Sequence, residues 1–196
     1  MLPINSICVY CGSNPGRLDA YSQAANRLAE SLVNRNIRLI YGGASIGMMG
    51  MVADRVLTLG GEVIGVIPQA LSHQEVAHPN LTELHITNTM HERKMLMAEL
   101  ADGFIALPGG IGTLEELFEI WTWAQLGIHN KPLGLLNVAG YFDDLIRFLD
   151  HMTEQAFFKS RHRQMLMVES QPEPLLNRLL NFEYPTIQPW LGKDEI

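Results

Sequence analysis

Short apolar runs punctuate the chain at Ile7 to Tyr10, Arg38 to Tyr41, Glu62 to Ile67, Gly103 to Leu107 and Pro132 to Val138. They are rich in β-branched and aromatic residues and lack the alternation of a half-exposed strand, so they read as strands buried on both faces. Between them the period changes. Leu18, Tyr21, Ala25, Leu28 and Leu32 recur at helical steps, as do Leu114, Leu117, Phe118 and Trp121, which predicts two helices that each bury one face. "MHERKMLMAEL", Met90 to Leu100, reads as a third helix, and "PEPLLNRLLN" as a short late one with Pro near its start. Strands apolar on both faces that alternate with helices imply a parallel sheet covered on both sides. With right-handed crossovers this becomes a Rossmann-like, doubly wound α/β sheet, expected as a single domain over residues 1–196. Ligands of such sheets lie beyond the carboxyl ends of the strands, where strand order reverses. The turns expected there are "CGSNPG", "GGASIGMMG", "PQALSHQE" and "PGGIGT".

Composition narrows what such a fold could hold. With 196 residues, 47% hydrophobic and 18% charged, the chain suits one packed core. Its net charge is −7, and its 14 Lys and Arg are scattered, so neither nucleic acid nor a membrane surface is an expected partner. A small anion in a local pocket remains compatible. No Lys or Arg precedes Arg17, and Gly42 and Gly43 interrupt the longest apolar stretch, so a cytoplasmic location is expected. Cys8 and Cys11 form C-x-x-C inside the strand-like "SICVYCG". Positions three apart on a strand face opposite ways, so two buried, reduced thiols are expected rather than a disulfide.

Two familiar motifs fail on inspection. "GGASIGMMG" has Met48 where a Walker A loop needs Lys after Gly47, and "CGSNPG" lacks the dinucleotide fingerprint; these glycines suit a tight turn and close helix packing. His91 and Glu92 begin like H-E-x-x-H, but Met95 stands at the second His position, and no other spacing suggests a metal. On the helical wheel of Met90 to Leu100, Met90, Leu96, Met97 and Leu100 share one face with Arg93 in its middle. A guanidinium buried there needs a carboxylate, a phosphate or a ligand; snorkelling along the apolar surface is the alternative. In "PGGIGT", glycines let backbone approach a ligand, and Gly112 and Thr113 can offer amides and a hydroxyl at a helix start, which is how a phosphate is cradled. Glu115 and Glu116 follow immediately, where acidic residues can also serve simply to complement a helix dipole. An anion cradle, an adjacent carboxylate and a misplaced arginine together suit cleavage at the sugar carbon of a phosphorylated sugar. The amides would hold the phosphate, while the carboxylate would face the carbon that becomes positive and orient water.

The chain resembles the LONELY GUY family of cytokinin riboside 5′-monophosphate phosphoribohydrolases, often mislabelled as lysine decarboxylases. "MHERK" and "PGGIGTLEE" carry the resemblance, supported by "CGS", "YGG" and "TWAQLGIHNKPLGLLN", and it runs from about residue 6 to about residue 168. It implies a Rossmann-like fold, usually a homodimer, that hydrolyses the N-glycosidic bond of an adenine-type nucleoside 5′-monophosphate to free base and ribose 5-phosphate; the absent ligand spacings and unsuitable lysines lead to the expectation of no metal or organic cofactor. By motif position, Arg93 and Glu116 match the catalytic pair. Lys94, Gly110, Ile111, Gly112, Thr113, Leu114 and Glu115 match substrate contacts, as do Glu75 in "HQEVAH" and Thr122 in "TWAQL". Ile111 stands where the motif often carries an aromatic residue, which leaves the backbone cradle intact. A pyridoxal-dependent decarboxylase would need a lysine suited to carry the cofactor, and Lys94 beside Arg93 is better explained as an anion contact. A module that binds or senses a nucleoside monophosphate without cleaving it is the remaining alternative; a charged Arg93 and Glu116 pair argues against it.

Overall fold

The computed structural model describes residues 3–72 and 77–184. Each of the five apolar runs forms a strand, and two more strands join them. In chain order the elements are β1 (Ser6–Tyr10), α1 (Asp19–Val33), β2 (Arg38–Tyr41), α2 (Gly47–Thr58), β3 (Val63–Pro68), α3 (Gln69–Ser72), β4 (Glu83–Thr87), α4 (Met90–Leu100), β5 (Gly103–Ala106) and α5 (Ile111–Leu126). After them come β6 (Leu133–Leu136), a 3-10 turn (Val138–Gly140), α6 (Asp143–Glu154), α7 (Ser160–Arg163), β7 (Leu166–Glu169) and α8 (Pro172–Leu180). The sheet runs β4-β3-β2-β1-β5-β6-β7, and every pairing is parallel. The order turns back on itself between β1 and β5, where Tyr10 stands beside Ala106.

Two cores flank the sheet. Leu28, Leu32, Val52, Leu175 and Leu179 from α1, α2 and α8 pack with Leu39 and Tyr41 on one face. Met97, Leu117, Trp121 and Leu149 from α4, α5 and α6 pack with Cys8, Tyr10 and Phe104 on the other. Each such side chain, fully buried, contributes on the order of 2 kcal/mol, so these two layers hold the switch point rigid. Cys8 lies in the second core and Cys11 in the first. Both are free thiols, held protonated by burial and by the nearby negative charge of Glu116.

The expected role of "GGASIGMMG" is what the fold uses. Gly47 has φ +58°, and its Cα lies so close to the backbone of Ser13 that a Cβ would collide with it. The Met48 amide donates to the Gly12 carbonyl at 3.1 Å. The loop after β2 is thereby fastened to the loop after β1, and Gly12 donates in turn to the Pro108 carbonyl at 3.2 Å. Three strand ends are tied into one rim. Tyr184 donates its hydroxyl to the Ala124 carbonyl at 2.6 Å, and residues 185–196 lie outside the described ones, as does Glu75.

Candidate active site

Two helices build the site from opposite sides. α4 is started by Thr89, whose hydroxyl accepts from the Glu92 amide at 3.1 Å while Glu92 accepts from the Asn88 amide at 2.8 Å; this reciprocal cap fixes the first turn. One turn in, Arg93 points at the sheet and is 8% exposed. Its Nε donates to the Val66 carbonyl at 3.1 Å, and its Nη1 contacts the Met90 sulfur at 3.3 Å. The same Nη1 lies 3.6 Å from Glu116 Oε1, an ion pair longer than a charge-assisted hydrogen bond. The guanidinium therefore lies inside, held by a backbone carbonyl and a carboxylate, and does not snorkel. The helical face is shifted from the expected one: Met90 is 40% exposed, and Lys94 is buried instead, because the face turned to the sheet runs through Arg93, Lys94, Met97 and Ala98.

α5 starts at Ile111 with Gly110 as its cap residue and no side chain capping it. The first intrahelical bond is Leu114 to the Gly110 carbonyl, so the amides of Ile111, Gly112 and Thr113 have no helical acceptor. Space beside Gly110 and Gly112 is open. Thr113 is 3% exposed and its hydroxyl lies against Gly109. Ile111 is 81% exposed and Leu114 half-buried. The helix starts early enough to put Glu115 and Glu116 in its second turn, past the reach of the dipole's strongest effect. Simple dipole complementation does not account for them.

Glu116 has a side chain 13% exposed. Burial raises its pKa from 4.5 to about 7, with Glu115 and Glu119 adding to the rise and Arg93 and Lys94 opposing it. Desolvation outweighs the ion pair. Lys94 sits between Glu115 at 2.5 Å and Glu119 at 2.9 Å. Burial alone would lower its pKa, but these two carboxylates leave it above the ordinary 10.5. Lys94 and Glu115, both expected to touch substrate, thus face each other, and Lys94 joins α4 to α5 as a strut. Thr122 is exposed on the stripe of Glu115 and Glu119, about 9 Å of helix rise beyond Glu116, with its hydroxyl donated to the Phe118 carbonyl at 2.7 Å.

Sequence reasoning passed over two residues of this neighbourhood. Glu119 follows Glu115 by four positions, a spacing that could have flagged it. Tyr141, just after the 3-10 turn, donates its hydroxyl to the Gly109 carbonyl at 2.6 Å and packs edge-on against Tyr21. With the loops at Gly12 to Gly16 and Pro108 to Gly110 it lines a cavity of about 270 Å³ at the switch point. No sequence signal marks it. Among the described residues no cluster of three His, Cys, Asp or Glu could hold a metal, and no helix is long and apolar enough to cross a membrane.

A family model described as "Possible lysine decarboxylase" matches residues 49–179. Two Arabidopsis thaliana proteins named cytokinin riboside 5′-monophosphate phosphoribohydrolase are similar to the chain. One is 49% identical over 173 residues, covering 88% of this chain and 80% of the other; the second is 45% identical over 187 residues, covering 95% and 87%. Among solved structures, the chain is similar in fold to the Moco carrier protein of Chlamydomonas reinhardtii, with TM-score 0.67 at 18% identity over 91% of this chain and 98% of that one. The molybdenum cofactor binding protein of Rippkaea orientalis matches with TM-score 0.66 at 20% identity, over 90% and 96%.

Proposed function

Because the chain belongs to the family of cytokinin riboside 5′-monophosphate phosphoribohydrolases, we propose that it hydrolyses the N-glycosidic bond of adenosine 5′-monophosphates, with or without a substituent on N6. The products are the free base and ribose 5-phosphate. The observation that carries this reading is the buried Arg93 and Glu116 pair beside the uncapped start of α5. The 5′-phosphate rests on the amides of Ile111 to Thr113, and Gly110 and Gly112 leave it room. The sugar then lies toward Glu116. As the bond from the sugar carbon to the base nitrogen breaks, its electrons leave with the base and positive charge develops on the sugar. Ionised Glu116 offsets that charge and takes a proton from the water that attacks; the departing base nitrogen takes up one proton, so that the elements of water end on the sugar and the base and Glu116 is again ionised. A carboxyl titrating near 7 suits a base at neutral pH. Arg93 keeps enough of it ionised to act. Lys94 sets the spacing of Glu115 and Glu119, and Leu114, Glu115 and Thr122, with Glu75, contact the remainder of the substrate.

The decarboxylase description fits this chain poorly. A lysine that carries pyridoxal must become a neutral amine, whereas Lys94 is clamped as an ammonium. Lys131 is at the opposite end of the sheet, before β6, donating to the Ala98 carbonyl at 2.6 Å. The proposal extends to a cytoplasmic homodimer, supported by two reduced thiols and by exposed Ile86, Met90, Met95 and Ile111, apolar residues that a second copy would cover.

The test is a side-by-side assay of AMP and adenosine, each with and without an isopentenyl group on N6, following release of the base. Phosphate binding far from the scissile bond should raise kcat/KM by on the order of a thousandfold over the nucleoside. Comparable rates would overturn the cradle, and binding of AMP without release of base would favour a sensing module.

A further inference from the structure

The Arg93 guanidinium has its Nε and Nη1 accounted for by the Val66 carbonyl, the Met90 sulfur and Glu116. Its remaining nitrogen, Nη2, points at Gly42, the residue that follows β2. There a Cβ built on Gly42 would collide with Nη2, would come 3.4 Å from Arg93 Cζ and would stand 3.1 Å from the Met49 sulfur. Gly42 has an ordinary negative φ, since it is absent from the positive-φ glycines. Its backbone does not demand glycine; the space above it does. A side chain here and the guanidinium as it stands cannot share the space, so a Cβ displaces Arg93 from the position in which its Nε holds the Val66 carbonyl and its Nη1 approaches Glu116.

We propose that Gly42 is a positioning residue for Arg93, the bare strand end on which the guanidinium lies so that its Nη1 reaches Glu116. This rests on the assignment of Arg93 and Glu116 under Proposed function. The "YGG" stretch thereby gains a role distinct from that of a turn: Gly42 shapes the seat of a charge on α4, with four elements between them in sequence. The groups that face Glu116 are Arg93 and Lys94 from α4, Glu115 and Glu119 from its own helix, and Cys8, Tyr10 and Cys11 from β1 and the residue that follows it. Of these groups Arg93 is the one that a Cβ on Gly42 would strike, so a displaced guanidinium is the influence the substitution changes.

The experiment is a double-mutant cycle of Gly42→Ala with Arg93→Ala, read by kcat and by the carboxyl titration of Glu116 in 13C-glutamate NMR, its resonance identified by Glu116→Gln. Gly42→Ala is expected to lower kcat by at least about tenfold and to raise the Glu116 titration midpoint by up to about one pH unit, as loss of a nearby cation does. In the Arg93→Ala background the same glycine change should do neither. Gly61→Ala is the control: its Cβ would collide with the side chains of Val33, at 2.6 Å, and Val56, at 2.8 Å, with no arginine among its contacts, and it should leave the titration where it is. If Gly42→Ala does not fold, Gly42→Ala with Met49→Ala gives the guanidinium somewhere to move and is read the same way. Equal losses in both backgrounds, or an unmoved titration in Gly42→Ala, would overturn the proposal. Full activity in Glu116→Gln would instead remove the catalytic assignment, while the NMR arm still reports whether Gly42 places Arg93.

Discussion

At pH 7 a carboxyl that titrates near 7 is about half ionised, so Glu116 divides its time between the form that the proposed mechanism uses and the form that burial prefers. Activity should therefore fall roughly tenfold per pH unit below about 7, a limb that kcat/KM measured across pH would trace. Glu116→Gln should lower kcat by at least ~100-fold while changing nucleotide affinity far less. The same substitution has an opposite effect on stability. Because the folded pKa lies above the unfolded value of 4.5, the contribution of this group is fully present below that value and is lost as pH rises to about 7. At about 1.4 kcal/mol per pH unit the loss is on the order of 3 kcal/mol. Thermal melts of Glu116→Gln against the parent protein should thus move in the variant's favour between about pH 5 and about pH 8. A constant difference across that range would mean that Glu116 is not desolvated when folded.

At the scale of elements, the cradle depends on a loop fastened from the side. The Tyr141 hydroxyl holds the Gly109 carbonyl, one residue before the cap of α5, and so aims the first-turn amides. Tyr141→Phe removes one hydrogen bond worth about 0.5–1.5 kcal/mol. It should raise KM for the monophosphate by roughly two- to tenfold, leave kcat nearly unchanged, and leave the kinetics of the nucleoside as they are. How far sequence reached follows from where each constraint lies. β1, β2, β3, β5 and β6 are buried on both faces, and their apolar runs announce them. β4 is largely exposed at the sheet's edge, so "ELHIT" carries no such run, and β7 is a four-residue strand on the other edge. α2 hid behind its glycines, which read as a turn. Arg93 was legible because a charge interrupts an apolar stripe within one helix. The seat at Gly42, the Val66 carbonyl and the hold of Tyr141 on Gly109 join residues from different elements, and no local pattern encodes them.

Over the whole molecule, the proposed mechanism draws its charges from side chains and helix amides set between two apolar layers and calls on no divalent ion. Protein stripped with a chelator and assayed in metal-free buffer should keep its activity; loss reversed by one particular divalent ion would refute this. The doubly wound sheet has a further consequence through its central strand. Cys8 and Cys11 belong to opposite cores, yet they lie three residues apart at the switch point. Each thiol is thus a built-in reporter of one layer. In Cys11→Ser, an aromatic disulfide reagent reaches Cys8 when the layer of α4, α5 and α6 lifts, and in Cys8→Ser it reaches Cys11 when the layer of α1, α2 and α8 does. If the layers open together, both variants should be labelled at one rate with one urea dependence. If the catalytic layer breathes on its own, Cys8 should react first, and a bound nucleotide should slow that thiol more than the other.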